Sequence, residues 1–356
     1  MVLDRQTAFA GTRPVAGPHR IDLDRLVKFM NREIDGFRGP LTAEQFKGGQ
    51  SNPTYKLRSP SGDYVLRRKP PGRLLPSAHA VDREYRVMTA LCGARFPVPR
   101  PRAFCADETV IGSPFYIMDF VDGRLYWEPF APGIGGKERA QIFDSLNATV
   151  AELHQLDPAS LGLADFGRSQ DYVRRQIRRW SEQYRASTAR PLAEMERLMD
   201  WLPEACPLDA GAAIVHGDFR LDNCIIDHQL PRVIAVLDWE LSTLGDPVAD
   251  FTYHLMQWFM PKTKGGLGSL RGREHDPGIP AFDDYVARYC ERTGRDAIPR
   301  LDFYLAYNFF RMAAILQGII GRVRDGTAVN PNAAAMEAQV KPLARTAWSF
   351  AEKARE

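Results

Sequence analysis

The sequence predicts an α+β chain in two lobes, a small β-rich one to about residue 121 and a larger helical one beyond it. Three observations carry this. The chain has 356 residues, more than the roughly 150 expected of one domain. Strand-type runs with turn chemistry crowd the region before residue 121. Helical periodicity dominates after Gly123. Hydrophobic residues make up 44% and charged residues 26%, an ordinary globular balance that rules out disordered and collagen-like classes.

The elements follow in order. Residues 1–20 carry prolines, glycines and no periodicity, which predicts a loose arm. Residues 21–121 form the predicted N-lobe. Apolar Ile21, Leu23, Leu26, Val27, Met30 and Ile34 recur at helical spacing. Thr54 to Arg58 and Tyr64 to Arg68 flank S-P-S-G-D, which predicts a hairpin with a five-residue connection. Val81, Tyr85, Met88 and Leu91 mark a helix over 79–92, ended by Pro97, Pro99 and Pro101. Phe115 to Val121 reads as a strand closed by Asp122-Gly123. The C-lobe, 122–356, begins with amphipathic helices over 137–156, 171–184 and 192–202. Short apolar runs follow at 213–215, 224–226 and 233–237. The rest is mostly helix, with a Gly-rich loop between Lys262 and Pro280.

Lysine and arginine number 47 and aspartate and glutamate 44, a net charge of +3. That gives no global attraction to nucleic acid or to an anionic membrane. The expected partner is a small molecule, and any polyphosphate must be held by local charge. Phe303 to Ile320 is the most apolar stretch, but Asn308, Arg311 and Gln317 interrupt it, so it predicts a buried helix. The five cysteines are widely spaced without C-x-x-C, which fits a reducing, cytoplasmic setting and no zinc site. The first residues hold no apolar core of signal-peptide length.

The chemistry concentrates in I-V-H-G-D-F-R-L-D-N-C-I-I-D and the following V-I-A-V-L-D-W-E. Asp218 and Asn223 are five apart in a loop between two apolar runs, and Asp238 ends the next run. A hairpin would bring Asn223 and Asp238 to one mouth. Two hard oxygen ligands there suit Mg²⁺, which takes few protein ligands besides phosphate and water. Asp218 stands nearby to accept a hydroxyl proton. An aspartate, an asparagine five later and a metal-binding aspartate form a phosphoryl-transfer pattern.

H-G-D-x-x-x-x-N with D-W-E and G-D-P-x-x-D resembles the aminoglycoside phosphotransferase and choline kinase group, relatives of the protein kinases. The resemblance runs from about Phe46 to Gln317. It implies a kinase-like fold binding ATP and Mg²⁺ in a cleft. Gly48, Gly49 and Ser51, with Asn52, would cradle the phosphates. Val65 would pack on adenine, and Arg67, on the same strand face, would reach the phosphates, with Arg68 and Lys69 as alternatives. Glu84 would pair with that cation. Met118 would line the back of the adenine pocket, and the backbone of Asp119 and Val121 would bond the base. Asp218 would be the catalytic base, with Asn223 and Asp238 on the metal. His216, Glu240, Asp246 and Asp250 would support the loop. Trp258, Tyr304, Tyr307, Asn308 and Arg311 are the candidates for the acceptor side. Only a short segment joins Asp238 to Gly245, leaving no room for a long activation loop.

G-G-Q-S-N-P-T-Y, R-R-K-P-P-G, H-A-V-D-R-E-Y and H-G-D-F-R-L-D-N resemble in particular the kinase-like branch fused to acyl-CoA dehydrogenase domains. That implies a hydroxyacyl-CoA or hydroxy-acid acceptor. The alternatives are an aminoglycoside or amino-alcohol acceptor, or a nucleotide-binding pseudokinase. Retention of Asp218, Asn223 and Asp238 together speaks against the last.

Overall fold

The computed structural model describes residues 5–15, 17–48, 52–70, 80–208, 211–263, 268–326 and 333–356. The N-terminal part runs α1 (Arg5–Phe9), β1 (Thr12–Pro14), α2 (Leu23–Glu33), β2 (Thr42–Phe46), β3 (Thr54–Ser59), β4 (Gly62–Arg68), α3 (Val81–Gly93), β5 (Pro101–Cys105) and β6 (Phe115–Asp119). Its six strands form one antiparallel sheet in the order β1-β2-β3-β4-β6-β5. The expected loose arm is therefore wrong for its described part, because β1 pairs with β2 and Gln6 donates to the Leu125 carbonyl. The hairpin connection is also tighter than expected: Ser59 pairs with Gly62, so only Pro60 and Ser61 turn the chain.

Alternation along β4 and β6 divides the sheet between two cores. Tyr64, Leu66, Phe115 and Ile117 pack under α2 with Leu26, Phe29 and Met30. Val65, Tyr116 and Met118 face the opposite way and join the larger core. The cleft is thus floored by residues 65, 67, 116 and 118 because two adjacent strands share one register, with Val65 opposite Met118 and Arg67 opposite Tyr116.

The second part begins with β7 (Arg124–Leu125), α4 (Gly136–Gln155), α5 (Tyr172–Ser187) and α6 (Ala193–Ala205). Next come β8 (Ala213–Val215), β9 (Cys224–Ile226), β10 (Val233–Val236), β11 (Thr243–Gly245) and α7 (Pro247–Leu255). α8 (Phe282–Thr293), α9 (Leu301–Arg324) and α10 (Ala333–Lys353) close the chain. Two small sheets, β10-β9-β7 and β11-β8, carry the loops of the site. α9 is the one described helix long and apolar enough to cross a membrane, but 78% of that window is buried, as for a core helix. All five cysteines are free thiols.

Candidate active site

β8 delivers the chain into the loop His216 to Asn223, and the reason it holds its shape is Asp250 on α7. That carboxylate accepts from the backbone amides of His216 (2.8 Å) and Gly217 (2.7 Å) and contacts His154 Nε2 at 3.2 Å. Burial opposes its charge, yet these donors hold Asp250 below the usual carboxylate range. His216 Nε2 bonds the Leu237 carbonyl, and its Nδ1 accepts from the Asp218 amide. Gly217 has φ of +82°, and a Cβ there would meet the Leu241 carbonyl oxygen at 2.8 Å. Only glycine fits this turn without displacement.

Asp218 is held at both carboxylate oxygens. Tyr253 donates to Oδ1 at 2.7 Å, and Asn223 Nδ2 donates to Oδ2 at 3.2 Å and to the Asp218 carbonyl at 2.9 Å. Arg220 lies 3.3 Å from Oδ1 and pairs with Asp222 at 2.8 Å.

β9 and β10 pair as expected, and the Leu237 amide donates to the Asn223 carbonyl at 2.8 Å. Asn223 and Asp238 therefore stand at adjacent strand ends. Asp238 takes a left-handed conformation, φ 66°, which turns it toward the cleft floor, where Arg67 Nη2 reaches its Oδ1 at 2.6 Å. The site fits a magnesium ion. With Asn223 Nδ2 spent on Asp218, the amide oxygen is left as donor, and Asp238 adds a carboxylate. Among the described residues no group of three or more His, Cys, Asp or Glu is placed to hold a metal.

Arg67 is 8% exposed and contacts three carboxylates: Glu84 at 2.9 Å, Asp238 at 2.6 Å and Glu240 at 3.4 Å. Burial disfavours its charge, but Asp238 and Glu84 outweigh it and hold the guanidinium well above its ordinary value. Glu84 is buried and also accepts from Asn52 (2.9 Å) and Tyr116 (3.0 Å). The strand cations Arg67 and Arg68 differ by face. Arg68 points the other way and bonds Ser113, while Arg67 lies in the cleft. Asn52, expected on the phosphates, instead donates to Glu84 and, at 3.5 Å, to Glu240.

Gly48 is described and packs on Trp127, whereas Gly49 and Ser51 lie outside the described residues. Val65 and Met118 are opposite each other on the cleft face. The Asp119 amide already donates to the Arg100 carbonyl at 2.9 Å, and its carboxylate is clamped by Arg102.

The acceptor-side expectation needs correction. Tyr304, Tyr307 and Asn308 are buried on α9. Tyr304 donates to Asp246, which itself caps α7, and Asn308 donates to the Ala249 carbonyl and Thr252. Trp258 is packed against Tyr285 and bonds the Pro280 carbonyl. Arg311 donates to the Gly217 carbonyl at 3.0 Å. Tyr304, Asn308 and Arg311 thus brace α7 and the catalytic loop, because α9 runs behind them. A small pocket next to Arg220 and Tyr253, the two contacts of Asp218 Oδ1, is lined further by Trp127, Asp222, Met256, Met260 and Met312. Tyr116 was legible in principle, two positions from Met118 on a strand. The methionines carried no signal, since Met312 on α9 is far in sequence from Met256 and Met260.

Residues 42–304 match the phosphotransferase enzyme family. The chain belongs to that family. It is a phosphotransferase with a hydroxyl group as acceptor, in a kinase-like α+β fold. It is 41% identical over 344 residues to acyl-CoA dehydrogenase family member 10 of Mus musculus, covering 96% of this chain and 32% of that protein. It is 39% identical over 348 residues to family member 11 of Rattus norvegicus, covering 96% of this chain and 45% of that protein. The chain thus spans less than half the length of these curated relatives. A Ralstonia eutropha protein, provisionally named an aminoglycoside phosphotransferase, superposes with a TM-score of 0.84 at 45% identity, covering 94% of this chain and 99% of that one. A choline kinase of Cryptosporidium parvum shares the fold, with a TM-score of 0.63 at 12% identity, covering 93% and 97%.

Proposed function

We propose that this small-molecule kinase transfers the γ-phosphoryl group of ATP to the hydroxyl of a hydroxyacyl-CoA or hydroxy acid, with Asp218 as base. The observation that carries the chemistry is the joint placement of Asp218, Asn223 and Asp238 around one cleft mouth. The acceptor O–H bond breaks and its proton passes to the Asp218 carboxylate. The oxygen pair forms the bond to γ-phosphorus, and the bond from phosphorus to the bridging oxygen breaks, leaving that pair on ADP. Magnesium, held by Asn223 and Asp238, would neutralise phosphate charge. Arg67 has the position to meet the phosphates once it loosens from Asp238.

The acceptor class is supported by the pocket and by the relatives' names. Three methionines and Trp127 in the pocket next to Tyr253 suit an apolar chain, because methionine adapts to flexible ligands. The pocket carries one cation, Arg220, beside one acid, Asp222, with which it pairs, and so holds no wall of acids of the kind a polycationic antibiotic would need. In the loop between Lys262 and Pro280, Arg273 pairs with Asp276 and lies over Phe130. A cytoplasmic setting remains part of this proposal. The test is turnover on a matched panel of hydroxyacyl-CoAs, hydroxy acids, amino alcohols and aminoglycosides. Phosphorylation of kanamycin-type substrates alone would overturn the acceptor assignment.

A further inference from the structure

We propose that Tyr253 is a positioning residue for phosphoryl transfer, its phenol fixing the Asp218 carboxylate against the acceptor pocket. The inference rests on Asp218 being the base. The hydroxyl donates to Asp218 Oδ1 at 2.7 Å while Asn223 donates to Oδ2 at 3.2 Å, so both oxygens are held and the carboxylate cannot swing about its χ2 bond. Oδ1 also faces Arg220 Nε at 3.3 Å, so the lone pair left for an incoming hydroxyl is on Oδ2.

Tyr253 is itself anchored. Its ring is buried, and the Arg311 guanidinium lies 5.1 Å over it. The same Arg311 donates to the Gly217 carbonyl, so one cation ties the tyrosine to the loop it serves. Burial, and then Asp218, push the Tyr253 phenol well above its ordinary value, so it remains a donor. Tyr253 neither gives nor takes the transferred proton. It also forms a wall of the pocket with Met256 and Met312, so an acceptor settling there meets a carboxylate already aimed.

A merely structural role would require the hydroxyl to hold α7 in place. That helix is fixed by other bonds: the Asp246 cap, Asn308 to the Ala249 carbonyl, and Asp250 to the loop amides. Tyr253→Phe keeps the ring, the cation contact and the pocket wall, and removes one hydrogen bond.

The experiment measures transfer of the γ-phosphoryl group from Mg-ATP to water, which needs no identified acceptor, in the whole chain. The variants are Tyr253→Phe, Asp218→Asn and the double variant, with thermal melting alongside. Tyr253→Phe is expected to lower kcat about tenfold, the loss of a hydrogen bond to a charged group. The KM for ATP should stay within about twofold, because the phenol faces the acceptor side. In the Asp218→Asn background the same change should add nothing, since its effect passes through Asp218. A wild-type rate for Tyr253→Phe beside an inactive Asp218→Asn would overturn the proposal and leave the base assignment standing. Additive losses, or a melting drop with KM and kcat moving together, would also overturn it. A wild-type rate for Asp218→Asn would overturn both.

Discussion

At the residue scale the cleft is governed by one buried arginine among three carboxylates. Exposed ion pairs such as Arg32 with Glu33 add little to stability. Arg67 differs because Glu84 is only 1% exposed and would be left with its main cation gone. Arg67→Met should therefore cost about 3–5 kcal/mol of stability, read as a fall in the denaturant midpoint. Arg67→Lys should restore part of the stability but not nucleotide affinity, because a point charge cannot bridge three carboxylates as a guanidinium fork does. Equal stability of Arg67→Met and the parent would contradict this. The Arg67 and Glu84 pairing was legible, since strand alternation and helical phase place both on inner faces. Its third and fourth members, Asn52 and Tyr116, were not assigned there because a sequence pattern reports a face and not a hydrogen-bond partner.

At the scale of elements, α7 and α9 set the catalytic loop. Gly217→Ala tests the loop itself. The left-handed turn and the 2.8 Å approach to the Leu241 carbonyl force the loop to shift, and kcat should fall about 10²-fold with the protein still folded by circular dichroism. α7 also buries His254, which bonds the Tyr285 hydroxyl and Gln257. Burial pushes its imidazole down to about 4, below the unfolded value of about 6.5. The unfolded chain thus takes up a proton first as pH falls, so stability is lost between about pH 6.5 and 4, on the order of 3 kcal/mol in full. Denaturation curves of the parent and His254→Gln should differ in slope across that window; parallel curves would refute the assignment. Most helices were legible from their apolar spacing. β11, β5 and β2 were not, being short segments whose strand character comes from their partners. The role of α9 was misread for a related reason: polar residues on an apolar helix suggested a pocket, but Tyr304, Asn308 and Arg311 bond groups on α7 or the loop.

At the scale of the molecule, the two parts are joined around the nucleotide cleft by α3. Arg83 donates to the Phe166 carbonyl and lies over its ring, and Arg86 bonds Asp165 and the Gly162 carbonyl. Glu84 lies between them on the same helix, so the ion pair with Arg67 is set in place by contacts to the helical part. Calorimetry should show ATP binding that depends on magnesium and loses that dependence in Asp238→Ala; unchanged metal dependence would remove Asp238 from the metal site.

The central claim is that Asp218 serves a phosphoryl transfer from ATP to a hydroxyl. The most direct measurement follows label from γ-labelled ATP into hydroxyacyl-CoA and hydroxy-acid acceptors, with the parent and Asp218→Asn side by side. Label should enter at least one acceptor in the parent, and the Asp218→Asn rate should fall about 10²–10⁴-fold with ATP affinity within a few fold. Transfer by Asp218→Asn at the parent rate would contradict the account.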